Sequence, residues 1–244
     1  DLAISARVLR LANSAFYGLR YQVESIQRAV VVVGFDAVRM LGLAMSVFDT
    51  LSRRRQFAFD PEAFWLHSLG AAKAAQLLAH TIPGVSSPES CFTAGLLHDI
   101  GKYCLALVLQ TEYKAVVDTA AASNRDLHEC EAEILHTTHM DAAIWIIRKW
   151  HLPASLEEPI GYQQRLADYR GPYRAEAALI ALASDLSRAA AFGDAGDAAP
   201  PDLSEERALA CGLTGTEIIQ IRDKLAAYVP EAIGFLKILR DDAQ

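Results

Sequence analysis

Apolar residues along this chain recur every three to four positions, and strict two-residue alternation is not evident, so helices are expected throughout. The stretch ISARVLRLANSAFYG sets Ile4, Val8, Leu11 and Ala12 on one face and stops at Gly18. SIQRAVVVVG begins at Ser25, a natural N-cap, and ends at Gly34. Its Val30 to Val33 run is β-branched, which favours a strand by propensity alone. The cap and stop signals on its flanks, and the lack of a partner strand, favour helix. FDAVRMLGLAMSVFDTL resumes the pattern with Val38, Leu41, Ala44 and Met45 facing inward.

From Pro61 the periodic runs lengthen. Pro61 suits the first turn of a helix through EAFWLHSLGAAKAAQLLAHT, and IPGVSSPES is a loop of turn formers. Ser90 is read as the cap of a single helix, CFTAGLLHDIGKYCLALVL. EYKAVVDTAAAS follows, then ECEAEILHTTHMDAAIWIIRKW with a bend near Thr137. Pro153 sits in the first turn of the next helix, and YRAEAALIALASDLSRAAAF is strongly apolar. GDAGDAAPPDLS has the composition of a linker or surface loop. SEERALACGL and GTEIIQIRDKLAAYVPEAIGFLKIL close the chain. The expected fold class is all-α.

Length and composition narrow the function. The 244 residues can bury a sizeable core, with 52% hydrophobic and 22% charged residues. A formal charge of −7 argues against a general nucleic-acid binder, which needs a basic face to release counterions. The one basic cluster, SRRRQ, reads as a solvated loop between helices. Cys91, Cys104, Cys130 and Cys211 show no metal-type spacing, and free thiols in a reducing cytosol are expected. No apolar run of about 18 residues lacks a charge, so a soluble, cytoplasmic protein without a membrane partner is expected. Asp rather than Met opens the sequence, and a longer parent protein is expected.

Four ionisable side chains lie on apolar segments, where a polar group is costly unless partnered. They are His67, the adjacent His98 and Asp99, and Asp185. Nitrogen and oxygen donors converging from three helices suit a divalent ion such as Fe, Mn or Zn. On a helix, His98 and Asp99 point about 100° apart, so one ion must sit between their directions. The competing reading is that each is a core residue satisfied by its neighbours. Lys102, three residues after Asp99, is either a point charge for phosphate or an i,i+3 ion-pair partner. His136 and His139 are three apart and read by spacing as a surface pair. No nucleophile elbow, Walker loop or dinucleotide fingerprint is found.

The order His67, then HD at 98–99, then Asp185 resembles the HD phosphohydrolase superfamily. More closely, the chain resembles the HDOD family of HD-related output domains in bacterial signalling proteins. The resemblance spans roughly residues 1 to 190. It rests on LRLANSAFYG, SIQRAVVVVGFDAVRMLGLAMSVFD, FWLHSLGAA, AGLLHDIGK, TTHMDAAIWIIRKWHLP and ALASDLSR in that order. It implies a multi-helix HD-like bundle with an N-terminal helical subdomain. The expected divisions are an HDOD domain at 1–192 (an N-terminal helical segment at 1–55 and a bundle at 56–192), a linker or loop at 193–203, and a C-terminal helical extension at 204–244. It also implies that His67, His98, Asp99 and Asp185 form the superfamily's first metal position. In the related HD-GYP phosphodiesterases of cyclic di-GMP, a further metal histidine would fall on His139. The tandem His pair of those enzymes would fall near Gln163 and Gln164, whose carboxamides are poor ligands.

Two functions follow from the resemblance. In the first, the chain is a non-catalytic bacterial signalling module. Its partners would be signalling proteins or an upstream domain; the aromatics of AFYGLRY (Phe16, Tyr17 and Tyr21) are the candidate face, against the competing reading that they pack between helices. In the second, it is a metal-dependent phosphohydrolase or phosphodiesterase acting on a nucleotide or cyclic dinucleotide. Asp99 would then orient or activate water and Lys102 would neutralise phosphate charge.

Overall fold

The computed structural model describes residues 9–10, 12–14, 19, 21–33 and 58–241. The expected faces through Ile4, Val8 and Leu11 and through Val38, Leu41, Ala44 and Met45 lie outside those residues, as do Gly18, Gly34, the basic run 52–56, Phe16 and Tyr17. All regular structure among the described residues is helical. The chain divides into two compact units, residues 1–55 with 227–244, and residues 56–226. The C-terminal segment is divided between them after residue 226.

In the smaller unit, α1 spans Ile26–Val33 and α12 spans Val229–Asp241. Ser25 caps α1, its Oγ accepting from Arg28 N at 3.2 Å. The valine run is therefore helical, as its cap predicts. Asn13 staples the preceding segment: its Oδ1 accepts from Val23 N and its Nδ2 donates to Val23 O. Tyr21 is half-exposed, with the Arg28 guanidinium 5.5 Å above its ring.

The larger unit starts with α2, Pro61–Ala79, capped by Asp60 Oδ1, which accepts from Glu62 N and Ala63 N. Its alanines at 71, 72, 74 and 75 are fully buried, so α2 is covered on most sides. It packs on α3 (Pro88–Leu97) and α9 (Arg174–Ala189). Ser87, rather than Ser90, caps α3, because Pro88 takes the first helical position and Ser90 N donates back to Ser87 Oγ.

The expected single helix through HDIGK is two. α3 ends at Leu97, and α4 (Ile100–Val108) begins after Asp99, whose backbone (φ −106°, ψ 10°) leaves the helical well. Together Pro88–Val108 is long and apolar enough to cross a membrane by length and composition, but 78% of its apolar window is buried inside the protein. α5 is Gln110–Ser123 and α6 is Leu127–Leu135; with α4 they enclose Tyr113, Val116, Ala120, Leu127 and Cys130.

The bend expected near Thr137 is a full break. His136 ends α6 in the left-handed region, and α7 (His139–Lys149) starts on a reciprocal cap between Thr138 and Asp141. His136 and His139 therefore do not share a helix face, and His139 is buried. α8 is Ala154–Tyr162, α10 is Glu205–Ala210 and α11 is Gly215–Ala226.

Residues 193–203, expected as a linker or loop, form a strap packed onto the bundle. Phe192 and Ala195 are fully buried, Asp194 N donates to Ala63 O, and Arg188 Nη1 donates to Ala199 O. Gly193 has φ +59°, and a Cβ there would strike Ala63 O, so the crossing over α2 requires glycine. Polar composition marks the segment as loop; it does not reveal how closely the loop is bound.

Candidate metal centre

The break between α3 and α4 explains the adjacent His and Asp. His98 closes α3 with helical backbone angles and Asp99 leaves the helical well, and the two side chains meet His67 of α2. His67 Nε2 lies 3.2 Å from His98 Nε2 and 3.6 Å from Asp99 Oδ2, and His98 Nε2 lies 3.2 Å from the same oxygen. His98 Nδ1 donates to Gly95 O at 2.8 Å, which turns its Nε2 toward His67 and Asp99. Gln163 Nε2 donates to His98 O at 2.8 Å and fixes the backbone of the turn. Gln163 thus reaches the site as a support for His98.

The donors suit a small divalent cation. Their separations cluster about 3.3 Å, the edge of a tetrahedron whose centre lies ~2.0 Å from each donor, the usual Zn–N distance. Burial, then the neighbouring His98, pushes the His67 pKa down to about 3, so its imidazole is neutral and able to ligate. Burial alone would raise the Asp99 carboxyl, but His98 and Lys102 hold it well below the usual range, and it is ionised. His67, His98 and Asp99 form the metal-competent group among the described residues.

Asp185 stands apart from that group. Its Oδ1 accepts from Arg188 Nη2 at 2.5 Å and its Oδ2 from Arg207 Nη2 at 3.2 Å. The residue before it faces the site instead, with Ser184 Oγ 3.4 Å from His67 Nε2. Arg188 is visible in the sequence at i+3, but Arg207 arrives from α10, 22 residues on. Of the four expected donors, three lie together and Asp185 is held by two guanidiniums.

His139 joins from α7. Its Nε2 lies 3.8 Å from Asp99 Oδ1, and its Nδ1 and backbone N are each 2.7 Å from Glu131 Oε2. Tyr113 Oη donates to Glu131 Oε1 at 2.6 Å. Burial lowers the basicity of His139, but Glu131 outweighs it and raises the pKa above its ordinary value. Glu131 and Tyr113 are not legible as site residues in the sequence, since nothing local in ECEAEIL marks the carboxylate that turns inward.

Lys102 Nζ lies 2.9 Å from Asp99 Oδ2 and 2.5 Å from Asp197 Oδ2 on the strap. Both sequence readings of Lys102 place it near Asp99; Asp197 is hidden inside the expected linker. Away from this cluster, Asp141, Ile144, Trp145, Arg148, Tyr162, Arg165 and Asp168 line a surface groove of about 520 Å³. Trp145 is 66% exposed there, and Arg165 stacks over the Tyr162 ring at 5.0 Å.

With the fold and cluster in view, kinship can be assigned. The HDOD domain family matches residues 1–166. The chain belongs to the HDOD family. A Marinobacter aquaeolei structure named as a signal transduction protein is 25% identical, with a TM-score of 0.78, and covers 98% of this chain. This chain spans 53%, about half, of that protein. A Shewanella amazonensis structure named as a phosphohydrolase is 27% identical (TM-score 0.71), with 98% of this chain and 83% of that one covered. The MmoQ response regulator of Methylococcus capsulatus is 27% identical (TM-score 0.55), with 90% and 84% covered. No curated protein matches the chain. Family and neighbours make this HDOD chain a signalling-related HD-like domain.

Proposed function

We propose that this HDOD chain is a bacterial, cytoplasmic output module that acts on protein partners rather than by turnover. In this reading His67, His98 and Asp99 hold one divalent ion of the Fe, Mn or Zn class. The ion ties α2 to the α3–α4 turn.

The observation that carries this reading is burial. His67, His98, Asp99, Lys102 and His139 are each 2% exposed or less. A bound ion would supply Lewis acidity and an acidified water, but hydrolysis also requires a phosphate to reach it. Lys102, the residue fitted to greet that phosphate, is already committed to Asp99 and Asp197. The Trp145 groove lends support of another kind. Exposed Trp145 with half-buried Tyr162 beside Arg is a composition that protein interfaces concentrate.

A second reading, phosphohydrolase or phosphodiesterase action on a nucleotide or cyclic dinucleotide, is favoured by the donor triangle itself. Asp99 would then orient the attacking water. One assay separates the two. Protein loaded with Mn, Fe or Zn is offered cyclic dinucleotides and nucleotides beside the Asp99→Ala variant. Rates equal in both proteins are expected; turnover lost in the variant would establish the enzyme and overturn the module.

A further inference from the structure

Asp99 Oδ2 has two claims on it. It is the oxygen that faces both imidazole nitrogens, at 3.2 and 3.6 Å, and it is also the oxygen 2.9 Å from the Lys102 ammonium. A cation held by His67 and His98 and the ammonium would share one carboxylate oxygen in a low-dielectric interior. Like charges so placed repel strongly there. The chain nonetheless seats the Lys102 ammonium between two carboxylates, Asp99 at 2.9 Å and Asp197 at 2.5 Å, which hold its charge in place.

Asp197 completes the arrangement. It belongs to the strap, and its contact with Lys102 at 2.5 Å is shorter than that of Asp99. Its side chain is 16% exposed where that of Lys102 is 3%, so the pair leads from the donor cluster toward solvent. The strap is fixed on both sides of Asp197, by Asp194 N on Ala63 O and by Arg188 on Ala199 O.

We propose that Lys102 and Asp197 form a counter-charge pair that sets how tightly the His67–His98–Asp99 site holds a divalent cation. Lys102 weakens the hold from its place beside Asp99. Asp197, bonded to the far side of the ammonium, offsets some of that effect. Because Asp197 rides on the strap, any partner that moves residues 193–203 alters the affinity of the site. This inference rests on the reading that the triangle holds an ion.

Charge arithmetic gives an order of affinities that a purely structural ion pair does not. Lys102→Met removes the repulsion and leaves Asp197, so binding tightens tenfold or more. Asp197→Asn leaves the ammonium unopposed and weakens binding tenfold or more. The double variant Lys102→Met/Asp197→Asn removes both charges. It binds more tightly than wild type, since the nearer charge was the repulsive one, and less tightly than Lys102→Met.

The test is calorimetric titration of Mn²⁺ and Zn²⁺ into chelator-treated full chain, with thermal melts to confirm folding and Asp99→Ala as the blank. The stated order supports the pair's role. Equal affinities, or affinities that fall in every variant, overturn it while leaving the metal site standing. Wild type that binds no more metal than Asp99→Ala removes the site and this inference with it. If the single variants fail to fold, the double variant decides: tighter than wild type supports, equal or weaker overturns.

Discussion

The Nε2 atoms of His67 and His98 approach to 3.2 Å in the interior of the bundle, both facing Asp99 Oδ2. Two imidazole nitrogens at that distance beside a buried carboxylate oxygen suit a cation held between them, and the low pKa of His67 leaves its imidazole neutral and able to ligate. Metal should therefore stabilise the fold. At a hundredfold excess over Kd the gain is about 2.7 kcal/mol. For a chain of this size it is a rise in Tm of roughly 5–10 °C. Differential scanning calorimetry with and without Mn²⁺ or Zn²⁺ measures it. Asp99→Ala should lose the increment, and an equal rise in that variant would place the ion elsewhere.

Acid should unfold the metal-free protein through His67. Its folded pKa of about 3 lies below the ordinary 6.5, so between those values the unfolded chain binds more protons and stability falls as pH falls. The groups that face it are His98, Asp99, Lys102, Asp197 and the Ser184 hydroxyl. A shift of that size corresponds to roughly 3–5 kcal/mol lost from pH 6.5 to 3. Asp99, held low, adds its own loss only below about pH 3.8. His139, raised, contributes stability below pH 6.5 that fades as pH climbs through its folded value. Urea titrations in chelator from pH 7 to 4 test the slope, and His67→Gln should flatten it.

Most helices are legible because their signals are local: apolar spacing, Ser25 as a cap, Pro61 in a first turn. The break at His98–Asp99 is not. The apolar spacing continues across it, and a single residue leaving the helical well carries no periodic signature. The site shows the same limit. His67, His98 and Asp99 stand out as polar groups on apolar runs, whereas the partners of Asp185 and Lys102 depend on contacts 22 and 95 residues away.

Gly101, in the middle of HDIGK, is where α4 meets α7. A Cβ there would overlap the carbonyl oxygen of His139, a backbone atom that cannot rotate away. Gly101→Ala should cost roughly 3 kcal/mol, the upper end of overpacking penalties, and displace His139. Gly234, in α12, has no atom within 4 Å of a built Cβ. Gly234→Ala should gain about 0.5–1 kcal/mol from helix propensity. Opposite signs in chemical denaturation are expected; two losses would show that the second helix tolerates no side chain.

Asp185 offers the sharpest separation of metal ligand from structural anion. It is buried between Arg188 and Arg207, while both arginines keep some solvent contact. Burial raises its pKa and the two guanidiniums resist that rise. Removing a buried partner leaves uncompensated charge, which costs about 3–5 kcal/mol when fully desolvated, and about 2 kcal/mol is expected with these partly solvated arginines. Asp185→Ala should therefore melt earlier and free α10, seen as faster amide exchange over Glu205–Ala210. Metal content by mass spectrometry should stay at the wild-type level, because the three donors do not include Asp185. Loss of metal in a variant that still folds would restore Asp185 as a fourth ligand, one that exchanges its arginines for the ion.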